Sequence, residues 1–212
     1  MTTHISSTEQ RTDTRVLLDR AIATGGTVVA GISPDQLTAP TPCTEMDVRD
    51  LLTHLVGVLG RIAALARSED PFGVTEAPAP DDQWSTVWEQ AAADAVEAWR
   101  DDAVLEQPMA LPWIQASGAE VLETYLSEFT VHTWDLATAT DQQPDWDESV
   151  VIAALEMPQI LPAENRRAIF AEVSARMGLD EVRIPFADAV PVPPDASAID
   201  RLVAWNCRNP HR

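Results

Sequence analysis

The chain has 212 residues, 45% of them apolar, which is enough for one folded domain with a substantial core. Its formal charge of -20, from 34 acids against 14 bases, repels phosphate backbones and anionic membrane surfaces, and so argues against nucleic-acid and membrane partners. No apolar run reaches the roughly eighteen residues a spanning helix needs, and the polar opening MTTHISSTEQRTD lacks a hydrophobic signal core, so a cytoplasmic location is expected.

Every basic residue is arginine. Without lysine there is no Schiff-base or pyridoxal-phosphate chemistry and no phosphate-loop lysine. Neither G-x-G-x-x-G nor G-x-S-x-G occurs, so a dinucleotide fold and a hydrolase elbow both lack their signature. Two cysteines, Cys43 and Cys207, are too few for a disulfide framework, and a reducing compartment is expected.

Prolines cluster at 34–42, 71–80 and 108–112, and again from 144 onward. Proline is poorly tolerated inside helices, so the stretches between the clusters are the candidate helices. The first runs over 12–30, with apolar Val16, Leu17, Ile22 and Val28. The second runs over 44–67, with Thr44 as the expected cap and Val48, Leu51, Leu52, Leu55, Leu59 and Ile62 at helical spacing. The third runs over 82–102 and lines up Trp84, Trp88, Ala92, Ala95 and Trp99. A helical aromatic stripe of this kind is more often core than pocket wall. The fourth runs over 117–140, with Val121, Leu122, Tyr125, Phe129 and Leu136 inward and Glu120 and Glu123 near its positive end. Four helices of this length make a four-helix bundle the economical reading.

After Pro144 the texture changes. Residues 149–155 and 163–177 look helical, EVRIPF could form a short strand, VPVPP cannot hold a central strand position, and SAIDRLVAW reads as a last short helix. The expected division is a metal-binding bundle over 1–143 and a C-terminal extension over 144–212 packed on it.

One face of the fourth helix carries the chemistry. Val121, Tyr125, Glu128, His132 and Asp135 step by three or four. An unpaired buried carboxylate costs several kcal/mol, so Glu128 needs a partner. It could pair with His132 one turn on, or both could reach a metal, since two ligands at i and i+4 facing a bundle core are a recurring geometry. His54 borders the stripe of the second helix and is a third candidate ligand. His, Glu and His leave an open coordination position, which is the catalytic rather than the structural arrangement, and two nitrogens with one oxygen suit zinc, nickel or iron(II). Asp135 could orient a ligand, Tyr125 could bond a bound molecule, and Arg49 or Arg61 could hold an anionic group. Cys43, read as standing at the start of the second helix, could be an activated thiol or a small buried hydrophobe, and the second is favoured. Cys207 reads as incidental.

The stretches PTPCTEMDVRDLLTHLVGVL and EFTVHTWDLATAT resemble the paired motifs of DinB-like proteins, in the branch similar to mycothiol-dependent maleylpyruvate isomerase. VPVPPDASAIDRLVAWNCRNP is similar to the terminal segment of a metal-binding subgroup of that branch, so the resemblance runs from about Thr12 to Pro210. It departs at Met46, where tryptophan is usual, and at Cys207, where glycine is usual. The resemblance implies an all-α fold, an up-down-down-up four-helix bundle with a short C-terminal extension. It implies a divalent metal on His54, Glu128 and His132, usually zinc or nickel; with the donor set, zinc is placed first and nickel or iron are alternatives. It also implies mycothiol as thiol cosubstrate, a small electrophile as substrate and, by analogy, a homodimer. The expected activity is metal-dependent thiol transfer or thiol-assisted isomerisation. The rival reading is a metal-binding or stress-related module without chemistry.

Overall fold

The computed structural model describes residues 12–111, 114–157, 162–176 and 187–211. Helix follows helix: α1 (Thr14–Ala30), α2 (Val48–Ala66), α3 (Trp84–Ala98), a short α4 (Asp102–Glu106), then a two-stranded hairpin of β1 (Pro108–Leu111) and β2 (Ile114–Ser117). The long α5 (Gly118–Ala139) comes next, followed by α6 (Glu148–Glu156), α7 (Arg166–Arg176) and α8 (Ala198–Trp205). The fold is all-α apart from the hairpin, as the proline punctuation and helical periodicity predict.

Four long helices make the bundle. α1 packs on α5 and α3, and α2 packs on α3 and α5, so the order around the core is α1, α3, α2, α5. The stripe Leu51, Leu52, Leu55, Leu59 and Ile62 on α2 meets Val121, Leu122, Leu126, Phe129 and Leu136 on α5, and all ten side chains are fully buried. Burial of this much apolar surface, at roughly 25 cal/mol per Å², is what holds the two helices together. Trp84, Trp88 and Trp99 are buried in the same core, and the Trp99 indole donates to the Ile62 carbonyl at 2.8 Å. The tryptophan stripe is therefore core, as expected.

Two long-helix boundaries differ clearly from the sequence reading. α2 starts at Val48 and not near Thr44, and its cap is Asp47, whose carboxylate accepts from the Asp50 N–H at 2.9 Å. The residues before it form a separate turn: Pro40 bridges to Asp47, and the Thr41 hydroxyl donates to the carbonyls of Cys43 and Met46. α3 ends at Ala98, and Asp101 caps the new helix α4 by accepting from the Ala103 N–H at 2.9 Å. The hairpin was not anticipated. Pro108 pairs with Ser117 and Leu111 with Ile114, and proline is tolerated because it opens its strand.

The hairpin leads straight into α5. Ser117 and Glu120 form a reciprocal capping box, so the long helix has a defined start. Gly118 is needed there by close approach, since a Cβ at that position would lie 2.1 Å from the Val104 carbonyl oxygen.

Beyond residue 144, α6 packs on α5 and α1, and α8 packs on α6 and α5. The VPVPP run has no regular structure, and its first residue, Val190, donates its N–H to the Ala204 carbonyl on α8. The expected strand over EVRIPF and the end of the helix expected over 163–177 lie outside the described residues. No described helix is long and apolar enough to cross a membrane.

Candidate metal centre

Helical periodicity puts Glu128 and His132 one turn apart on α5, and the packing of α2 against α5 brings His54 over them. The three predicted residues converge. His54 Nε2 lies 2.8 Å from Glu128 Oε1, and His132 Nε2 lies 3.7 Å from the same oxygen. The two rings meet edge to face with centroids 5.3 Å apart. One ligand atom from each of the three side chains falls within 4.8 Å of the others, which is the size of a site for a single cation. The pairing within α5 is the longer contact; the hydrogen bond runs between the helices.

The other ring nitrogens are held as well. His132 Nδ1–H donates to Asp135 Oδ2 at 2.9 Å, and Asp135 is fully buried. Arg208 grips that carboxylate with a fork, Nη2 to Oδ2 at 2.7 Å and Nε to Oδ1 at 3.1 Å. On the opposite side, His54 Nδ1 lies 3.6 Å from Glu76 Oε1, and Glu76 is itself ion-paired with Arg61. Glu76 fits there because residue 57 is glycine: a Cβ on Gly57 would stand 2.5 Å from Glu76 Cγ. Each imidazole thus turns Nε2 towards Glu128 and Nδ1 towards a carboxylate backed by an arginine. This is the usual support of a metal-binding histidine, which fixes its tautomer and ring plane.

The electrostatics follow from these contacts. Burial pushes the Glu128 carboxyl up, but the charge of His132 and the hydrogen bond from His54 outweigh it and hold the group at about 2. Burial opposes a charge on His54, yet the hydrogen bond it donates to Glu128 and the charges of Glu128 and Glu76 more than compensate, so its pKa is raised. Burial likewise opposes ionisation of Asp135, and the bonds from His132 and Arg208 overcome it and lower the pKa. Tyr125 is pushed up to about 12, by burial first and then by the nearby Glu128 charge, so its hydroxyl stays protonated at neutral pH.

The remaining candidates divide. Asp135 is buried against His132 Nδ1, where it could orient that ring. Arg49 does not join the site; it pairs with Asp81 near the surface. Arg61 borders the site but is engaged by Glu76. Cys43 lies in the turn before α2 and not at the helix start, because the helix begins at Val48. Burial pushes its thiol up, against an activated thiolate. Its sulfur nevertheless lies within 4.8 Å of ligand atoms of both His132 and Asp135. Cys43 and Cys207 are both free thiols, in accord with the absence of a disulfide framework.

Two residues escaped the sequence reading. Glu76 lies in an irregular loop where no periodicity signals a facing side chain. Arg208 lies in the terminal CRNP segment, where the resemblance to the subgroup ending was the one available signal.

Two uncharacterized proteins of Mycobacterium tuberculosis, from strains H37Rv and CDC 1551, are each 28% identical to this chain over 178 residues. The alignment covers 84% of this chain and 88% of each relative. No solved structure matches. Residues 18–137 match a family described as the mycothiol maleylpyruvate isomerase N-terminal domain, and that span holds all four bundle helices except the first turn of α1 and the last residues of α5. His54, Glu128, His132 and Asp135 all lie within it, and the chain belongs to this family.

Proposed function

We propose that His54, Glu128 and His132 hold one divalent metal ion, zinc first with nickel or iron(II) as alternatives. The protein then acts as a metal-dependent thiol transferase or isomerase, with mycothiol as the thiol and a small electrophile as substrate. The observation that supports this most is the opposed use of the ring nitrogens: both Nε2 atoms address one Glu128 oxygen, while both Nδ1 atoms address arginine-backed carboxylates. A mere ion pair between Glu128 and one histidine would not need the second imidazole or the two supporting acids.

The chain's own residues prepare the site. Glu128 is ionised at neutral pH because its pKa is held at about 2. With His132 Nδ1 bonded to Asp135, Nε2 is the atom it offers to a cation. His54 carries a proton to Glu128 that must leave when a cation arrives. Tyr125, protonated and beside the Glu128 charge, can donate a hydrogen bond to a bound molecule but cannot serve as a base near pH 7. A divalent cation on such a donor set lowers the pKa of a bound thiol or water and so supplies a nucleophile near neutral pH. The reading carries with it a cytoplasmic location, where small thiols are kept reduced.

Elemental analysis of the purified protein tests the first half. Near-stoichiometric divalent metal is expected in the wild type and its loss in His54→Ala and Glu128→Gln; a wild type without metal ends the reading. A turnover screen with mycothiol and small electrophiles tests the second half. Metal without turnover would leave a binding module in place of an enzyme.

A further inference from the structure

The C-terminal segment reaches the candidate centre through Arg208. α8 ends at Trp205, and the chain reverses through Asn206 and Cys207. The Cys207 N–H donates to the Ala204 carbonyl at 3.1 Å and the Arg208 N–H to the Val203 carbonyl at 2.9 Å. This is the left-handed helix ending, and Cys207 adopts its positive φ of 61°. The turn is docked next to the centre, since Asn206 Nδ2 donates to the hydroxyl of Ser127, the residue before Glu128, at 3.4 Å. Arg208 is then placed with its guanidinium on Asp135, and Nη1 donates to the Asn206 carbonyl at 2.8 Å.

We propose that Arg208 is a positioning residue of the metal centre: by fixing the plane of the Asp135 carboxylate it fixes the ring of His132, so a residue outside the helical bundle sets the metal affinity. The inference rests on the metal reading above. Asp135 Oδ2 accepts from both His132 Nδ1 and Arg208 Nη2, while Oδ1 accepts from Arg208 Nε. Two parallel N–H···O bonds fix the orientation of a carboxylate, whereas one bond lets it turn about its own axis. A carboxylate free to turn no longer specifies where the imidazole points. Lysine keeps the charge but not the fork.

The test is a double-mutant cycle on the full chain, read as the zinc dissociation constant in competition with a chelator. Arg208→Gln and Asp135→Asn should each weaken zinc binding about 10–100-fold, the usual effect of removing a residue that supports a ligand. The double variant should be no weaker than about the worse single one, because Arg208 acts through Asp135. Wild-type affinity in Arg208→Gln overturns the proposal. So do effects that multiply, because they mean that the arginine only holds the tail in place. If thermal melts show that Arg208→Gln does not fold, Arg208→Lys carries the test in its place. It should bind zinc more weakly than wild type and show the same non-additivity with Asp135→Asn, and wild-type affinity there overturns the proposal equally. A wild type that takes up no zinc removes the metal reading itself, a result separate from any behaviour of the variants.

Discussion

Glu128 Oε1 faces the Nε2 atoms of two imidazoles, and in metal-free protein a proton of His54 fills the bond to it. The His54 pKa is raised and the Glu128 pKa is held at about 2, so in the metal-free state the two form a charged pair. The raised His54 pKa gives stability that is complete below its unfolded value, near 6.5, and is lost as pH climbs through the higher folded value. The depressed Glu128 pKa gives stability that is present above 4.5 and is lost as pH falls towards about 2. Metal-free protein should therefore be most stable from this pair between about 4.5 and 6.5. Metal affinity should move the opposite way above that window, rising with pH as His54 gives up its proton. Urea melts of chelated protein and zinc titrations across pH 5–8 should give curves that cross; parallel curves would mean that His54 is not the proton exchanged. Cys207 offers a second single-residue prediction. Its φ of 61° is the left-handed region, which disfavours residues with a Cβ by about 1–2 kcal/mol. Cys207→Gly should raise the melting temperature by about 2–4 °C per kcal/mol regained. His54, Glu128, His132 and Asp135 were legible in the sequence because helical spacing fixes which side chains share a face. Glu76 and Arg208 were not, because they stand in loops, where position along the chain says nothing about direction in space.

At the scale of elements, the interiors of the long helices were readable and their ends were not. The apolar stripes of α2 and α5 recur at three and four residues, and the structure buries the residues predicted to be buried. Ends depend on local competition among caps. PCTEMD offers Thr44 and Asp47 as rivals, and the bonds of Thr41 to Cys43 and Met46 close a turn that leaves the cap to Asp47. Asp47→Ala should therefore lower the unfolding free energy by roughly 0.5–2 kcal/mol, the range for loss of an N-cap. Thr44→Ala, at an exposed position without that role, should stay within about 0.5 kcal/mol. Equal losses in chemical denaturation would return the helix start to Thr44. The hairpin was hidden for another reason. Its strands have four residues each, too short for alternation to show, and the first begins with a proline.

At the scale of the molecule, periodicity shows which face of each helix is apolar but not which helix it meets. The order α1, α3, α2, α5 places α2 beside α5, and that neighbour relation creates the centre. Because His54 comes from one helix and Glu128 and His132 from another, a bound cation links two elements that the unfolded chain separates by 74 residues. Metal binding and folding are then thermodynamically coupled: a ligand that binds the folded state alone stabilises it by about 2.7 kcal/mol at a hundred times its dissociation constant. For a chain of this size that corresponds to about 5–10 °C in melting temperature. Thermal unfolding of wild type with zinc and with excess chelator should differ by that amount. In His54→Ala the difference should shrink to near zero, since the remaining two ligands sit on one helix and gain nothing from holding α2 in place. If the variant keeps the full chelator effect, the cation is bound elsewhere. If the wild type shows no effect, the packing of α2 on α5 stands on its apolar faces alone.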